Sequence, residues 1–173
     1  MSFSLPMMVF PAAMLWAACA DLITMKIPNR LSLLLVATVP VAAWALGMAP
    51  MLLLLHLSAA LAMLLLGMGL FALGWIGGGD AKMLAAVSAW MGWAGLPAFL
   101  LSATLAGGVL TILVLIFRKI DLVGRVKTIP WVARLHSEEQ GIPYGIALAI
   151  GGLVSFPGTI WMELAVTGQA TLL

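Results

Sequence analysis

Residues 31–79 read LSLLLVATVPVAAWALGMAPMLLLLHLSAALAMLLLGMGLFALGWIGGG, forty-nine positions without one Asp, Glu, Lys or Arg. A helix needs about 20 mainly apolar residues to cross the hydrocarbon core of a bilayer. The run is too long for one crossing and fits two, with Gly47-Met48-Ala49-Pro50 as the natural break. Charge-free runs recur from Met83 to Phe117 and from Gln140 to Met162, the first interrupted by Gly92-Trp93-Ala94-Gly95-Leu96-Pro97. Composition agrees. Of 173 residues, 64% are hydrophobic and 8% charged, where a soluble domain carries about 25% charged residues. A water-soluble monomer and a disordered chain are both excluded.

The pattern predicts an all-α polytopic membrane protein with six helices, at about 5–22, 31–47, 51–74, 81–94, 97–117 and 142–167. The fourth is short for a full span. With six spans, the connections 23–30, 75–82 and 118–140 share one side of the membrane. They hold Lys26, Arg30, Lys82, Arg118, Lys119, Arg125, Lys127 and Arg134, which is every basic residue of the chain. The positive-inside rule makes that side cytoplasmic and puts both termini on the other. Ala17-Ala18-Cys19-Ala20 offers small residues for a signal cleavage, but no basic region precedes it, so no cleaved signal is expected. The connection 118–140 has two readings: a segment lying on the anionic inner leaflet, or a solvated basic loop that only sets topology.

Six acids remain to be explained, and two stand out. Asp21 falls at the cytoplasmic end of the first helix and Asp80 at the cytoplasmic start of the fourth. Topology thus sets two carboxyls at one depth, on helices distant in sequence. Acids at such positions are costly and mark functional sites. Two neighbouring carboxyls share a proton, so that one can act as base towards water while the other acts as acid towards a carbonyl oxygen or a leaving amine. The structural alternative is that Asp21 anchors one helix and Asp80 N-caps another.

The surroundings favour chemistry. Gly77-Gly78-Gly79 precedes Asp80, removing side-chain bulk where a substrate backbone could lie and permitting positive φ. Asp21 is followed by Ile27-Pro28-Asn29-Arg30. Pro28 forces its predecessor out of helix, and Asn29 is a good cap for the next one.

At these residues the chain resembles the type IV prepilin peptidases, membrane aspartic proteases with a Gly-x-Gly-Asp motif. Asp21 with Ile27-Pro28-Asn29 is similar to the first catalytic block of that family. Gly77-Gly78-Gly79-Asp80-Ala81-Lys82, continued by Leu84-Ala85-Ala86, is similar to the second. Pro143-Tyr144-Gly145 with Ala147 resembles the start of the last helix. The pieces stand in family order across nearly the whole chain, read as one membrane peptidase domain over 1–173.

The resemblance implies cleavage of prepilin, and by extension pseudopilin, leader peptides at the cytoplasmic face of the bacterial inner membrane. The family cuts after a glycine between a short basic leader and a hydrophobic helix. Asp21 and Asp80 would be the catalytic pair. Long members carry a cysteine-paired cytoplasmic insertion and also N-methylate the product. With the single cysteine Cys19 and no such insertion, this chain looks like the short peptidases of Flp/tight-adherence pilus systems, and methyl transfer is not expected. Pilus assembly machinery and the bilayer are the implied partners. No metal, cofactor or nucleic acid is implied. A proton-coupled transporter or a non-catalytic secretion subunit are the competing functions. The first would need acids deep within the spans.

Gly77, Gly78, Gly79, Pro28 and Asn29 are therefore expected to support the site. Lys82 has two readings, a charge tuned to the pair or substrate and a topology-setting lysine. Tyr144, the only tyrosine, is expected near the aspartates, either bonding pair or substrate or serving the aromatic belt. His56 and Glu163 are expected at the outer interface, and His136, Glu138 and Glu139 in a loop.

Overall fold

The computed structural model describes residues 5–121 and 128–167. Arg125 and Lys127, two of the basic residues used above to orient the chain, lie outside the described residues. Among the described residues the fold is helical, without a strand. The elements are α1 (Leu5–Thr24), α2 (Asn29–Ala45), α3 (Pro50–Ala72), α4 (Gly78–Arg118), α5 (Pro130–His136), α6 (Tyr144–Ser155) and α7 (Ile160–Thr167), with a 3-10 turn at Phe156–Gly158 joining the last two.

Their ends follow the expected punctuation. Pro28 and Ala49 are extended flanking residues before α2 and α3, and Pro50 occupies the first turn of α3. After α1, Met25 takes φ 54° and its N–H returns to the carbonyl of Asp21 at 2.8 Å. A left-handed residue closing a helix in this way is usually glycine.

Three helices are long and apolar enough to cross a membrane: Met7–Thr24 within α1, α3 and α4. The bent pair Tyr144–Gly158 and Ile160–Thr167 makes a fourth if taken as one span, and α2 is a shorter apolar helix. Straight, the 41 residues of α4 would reach about 62 Å, twice the hydrocarbon thickness. They do not run straight. Gly92 has φ 60° and ψ −178°, a conformation essentially reserved for glycine, and breaks the helix. Asp80 and Thr111 would stand about 46 Å apart on a straight helix. They line the same cavity, so α4 doubles back into two limbs, 78–91 and 93–118.

The break explains why His56 is buried within the bundle. In an unbroken helix the carbonyls of Ala89 and Trp90 would accept from residues 93 and 94. Here Ala89 accepts from His56 Nδ1 at 2.9 Å, and Trp90 accepts from the indole N–H of Trp161. Buried carbonyls left open by the kink thus gain side-chain donors from α3 and α7. His56 is buried edge-on to Trp161. No sign of this partner stands in the sequence, which does not announce which backbone groups a kink will free.

The first limb of α4 is the centre of the molecule. Met83, Ala86, Val87, Ala89, Trp90 and Met91 are all buried, against α2, α3 and α6. Around Trp90 gather Phe10 of α1, Phe156 and Trp161, with ring centroids 5.0–6.1 Å from it. Trp90 also donates its indole N–H to the carbonyl of Leu35 at 2.9 Å, tying the first limb to α2.

The described parts of the connection 118–140 pack back on the bundle. They carry α5, whose Val132 is buried, and Arg134 donates to the carbonyl of Ile23 near the end of α1. Arg118 donates to the carbonyls of Leu135, Gln140 and Gly141 at 2.8–3.0 Å. His136 reaches the carbonyl of Ile120 at 2.9 Å. Two residues read as topology signals therefore also hold the segment leading into α6.

Candidate active site

A cavity of about 640 Å³ opens at the end of the bundle where α1 stops and α4 begins, and both Asp21 and Asp80 line it. They come from opposite ends of α1 and α4, two helices that both pack against α2 and α6. Asp21 is buried, while Asp80 is partly open.

Asp21 is held by a backbone donor. Asp21 Oδ2 accepts the N–H of Gly145 at 2.7 Å, at the first turn of α6. A helix N-terminus presents unpaired N–H groups and the positive end of its dipole, which favours a carboxylate there. Gly145 leaves room for the contact. A Cβ at that position would fall 2.7 Å from Asp21 Oδ2 and 2.8 Å from Ile27 Cδ1. Gly145 thus gives the Pro143-Tyr144-Gly145 block a physical task that sequence reasoning missed. The only signal was the block itself, with no indication of which distant group it would meet.

Asp80 is the third residue of its helix, not the N-cap. The flanking position is Gly77, which lies close to the Asp80 carboxyl. The glycines serve by their small size, not by positive φ. Gly77 is extended at φ −71° and ψ 148°, and a Cβ on it would lie 2.9 Å from Asp80 Oδ2. A Cβ on Gly78 would come 3.3 Å from the ring of Phe71, and one on Gly79 3.5 Å from Cβ of Ile27. The two sequence blocks therefore pack directly on one another through Gly79 and Ile27.

A second link joins them. Lys82 Nζ donates to Asn29 Oδ1 at 3.0 Å. Asn29 is the first residue of α2 rather than its cap, since Pro28 takes the flanking position and leaves the amide side chain free for Lys82. Tyr144 lines the cavity too, with its hydroxyl 3.2 Å from that of Thr111 on the second limb. Glu163 lies far along the chain from this site, beside a separate cavity that also includes His56. In total, Asp21, Asp80, Asn29, Gly77, Gly78, Gly79 and Tyr144 line one cavity, Lys82 is bonded to Asn29 of that lining, and Pro28 is not part of it. Two carboxyls in such a cavity can supply a base and an acid to one bound water and one carbonyl group.

The sequence pattern of the Type IV leader peptidase family matches residues 8–112, more than half of the chain and inclusive of both aspartates. The chain belongs to the type IV leader peptidase family. Among similar proteins, this leader peptidase family member is 41% identical over 85 residues to a Prepilin leader peptidase/N-methyltransferase of Burkholderia pseudomallei (strain 1026b), covering 49% of this chain and 22% of that protein. It is 34% identical over 80 residues to a protein of the same name from Aeromonas salmonicida (strain A449), covering 46% and 22%. A counterpart in Pectobacterium carotovorum subsp. carotovorum is 43% identical over 58 residues, covering 34% and 21%. The chain spans about a fifth of the length of these curated relatives. No solved structure matches it.

Proposed function

We propose that this family member is an intramembrane aspartic endopeptidase that removes the leader peptide of prepilins, of the Flp type, at the cytoplasmic face of the bacterial inner membrane. The observation that carries the reading is the lining of one cavity by Asp21 and Asp80, within the region that matches the family. The names of the relatives supply the substrate class. The proposal is confined to the peptidase reaction.

In this reading one carboxylate removes a proton from water as the water oxygen bonds to the scissile carbonyl carbon. The other, protonated, carboxyl donates to the carbonyl oxygen, giving a tetrahedral diol. A proton then passes to the amide nitrogen and the C–N bond breaks, releasing the leader's new carboxylate and the new amino terminus of the pilin. Gly145 and Gly77 give room to the two acids, and the Lys82–Asn29 bond steadies the start of α4 against the start of α2. The topology that accompanies this is six crossings, with the two limbs of α4 as the fourth and fifth, and both termini periplasmic. All basic residues then fall on the cytoplasmic side.

The test is a gel-shift assay in a host lacking its own peptidase. A tagged Flp-type prepilin is co-expressed with the wild-type chain, Asp21→Asn or Asp80→Asn. Wild type shortens the prepilin, and each variant, present in the membrane in equal amount, leaves it uncut. Processing by both single variants would sink the assignment.

A further inference from the structure

Next to the polar cavity lies a second one of about 620 Å³, and the two share Ile76, Asp80 and Tyr144. Their linings differ in kind. The first carries Asp21, Lys26, Asn29 and Gln140. Apart from Asp80 and Tyr144, the second is lined by Leu, Ile, Ala, Gly and two threonines, from α3, both limbs of α4 and α6. Its floor is one face of the second limb, where Leu100, Thr104, Gly108 and Ile112 recur every four residues. Three turns of helix give a groove about 18 Å long.

Building on the peptidase reading, we infer that this groove receives the apolar segment of the substrate as a helix, while the polar segment across the scissile bond lies in the neighbouring cavity. The occupant follows from continuity. Asp80 stands at the junction, so a chain bound across both cavities passes its carboxyl where the linings change. A polypeptide that is apolar on one side of the cut and polar on the other matches both linings at once. A lipid acyl chain would match only the second. Gly108 is exposed in the groove floor, and a Cβ there would meet no atom within 4 Å. A substrate helix can therefore approach the backbone of the second limb closely at this point, as small residues permit between helices in a membrane.

The same open space makes the inference testable without disturbing the fold. Gly108→Trp stands an indole in the groove, whereas Gly69→Trp places one on α3 at another position with no atom within 4 Å, outside both cavities. On a full prepilin in membranes, Gly108→Trp is expected to lower kcat/KM at least tenfold, mainly through KM, and Gly69→Trp to leave it within twofold. A second measurement uses Gly108→Cys with Cys19→Ser and Asp80→Asn, which holds the substrate uncut. Single cysteines stepped through the apolar segment should cross-link to position 108 at intervals of three or four residues. The inference is overturned if wild type cuts the prepilin but Gly108→Trp cuts it equally well. It is also overturned if position 108 cross-links only to a second copy of the chain or not at all. A wild type that leaves the prepilin intact overturns the peptidase reading itself and this inference with it.

Discussion

Replacing Gly145 with alanine is the sharpest test of how Asp21 is held. The added Cβ would fall 2.7 Å from Asp21 Oδ2, where ordinary contact begins at 3.4 Å. The α6 backbone carries the Cβ and cannot retreat without moving the helix, so the carboxyl must give way by about 0.7 Å. That stretches the 2.7 Å bond from the Gly145 N–H to about 3.4 Å, beyond useful hydrogen-bond length. A hydrogen bond to a charged group contributes about 1.5–3 kcal/mol. If the whole contribution is lost in the transition state, the rate falls by about 10- to 100-fold, consistent with the penalty expected for sub-ångström misplacement of a reacting group. The assay is cleavage of a purified prepilin in detergent, with kcat and KM determined separately and thermal unfolding followed in parallel. The fall should appear in kcat, with KM little changed. Gly69→Ala, in open space on α3, is the matched control and should cleave as wild type does. A Gly145→Ala enzyme with an unchanged kcat would refute the idea that this glycine sets the position of Asp21.

Three further outcomes are expected. Gly92→Ala meets both a glycine-only backbone conformation and a Cβ 2.6 Å from His56 Nε2, so it should destabilise the protein by more than the ~1–3 kcal/mol of the backbone alone. Adding His56→Ala should relieve only the steric part, and thermal unfolding in detergent, read as a double-mutant cycle, separates the two. Lys82→Met and Asn29→Ala should each slow cleavage modestly, with the double variant no worse than the worse single one; independent, multiplying losses would argue against their hydrogen bond as the shared cause. Tyr144→Phe removes one exposed hydroxyl bond, so cleavage should fall by only about 2- to 12-fold; a thousandfold loss would place the phenol among the reacting groups.

Much of this was legible in the chain because membrane physics writes coarsely. The absence of charge across 31–79 and 83–117 is enough to read helices, and the helices carry Asp21 and Asp80 to one depth. The break in the second run was legible too, because Gly92 sat among the residues that marked it. What could not be read was which of those residues turns the chain, since Gly95 and Pro97 look equally disruptive and yet lie within the second limb. The partner of His56 was not legible because it is a carbonyl, a group every residue has and no sequence displays. Asn29 and Asp80 were each credited with capping. In both places another residue flanks the helix, Pro28 or Gly77, and Asn29 is thereby left for Lys82. The helix within 118–140 escaped notice because seven residues are too few for a periodic signal.

The rings around Trp90 set up a gradient of rigidity along the molecule. At the end remote from the aspartates, α1, the first limb, the 3-10 turn and α7 are joined by interlocked aromatic side chains, so separating any pair uncovers large apolar surfaces. At the aspartate end, the elements meet through Gly77, Gly79, Gly145 and short polar bridges, which cover little area and cost little to part. Amide exchange should therefore be slowest around residues 86–91 and fastest around residues 74–79, with the far end acting as an anvil for movement at the aspartate end. An enzyme built this way can admit a long chain at one pole without ever loosening its foundation.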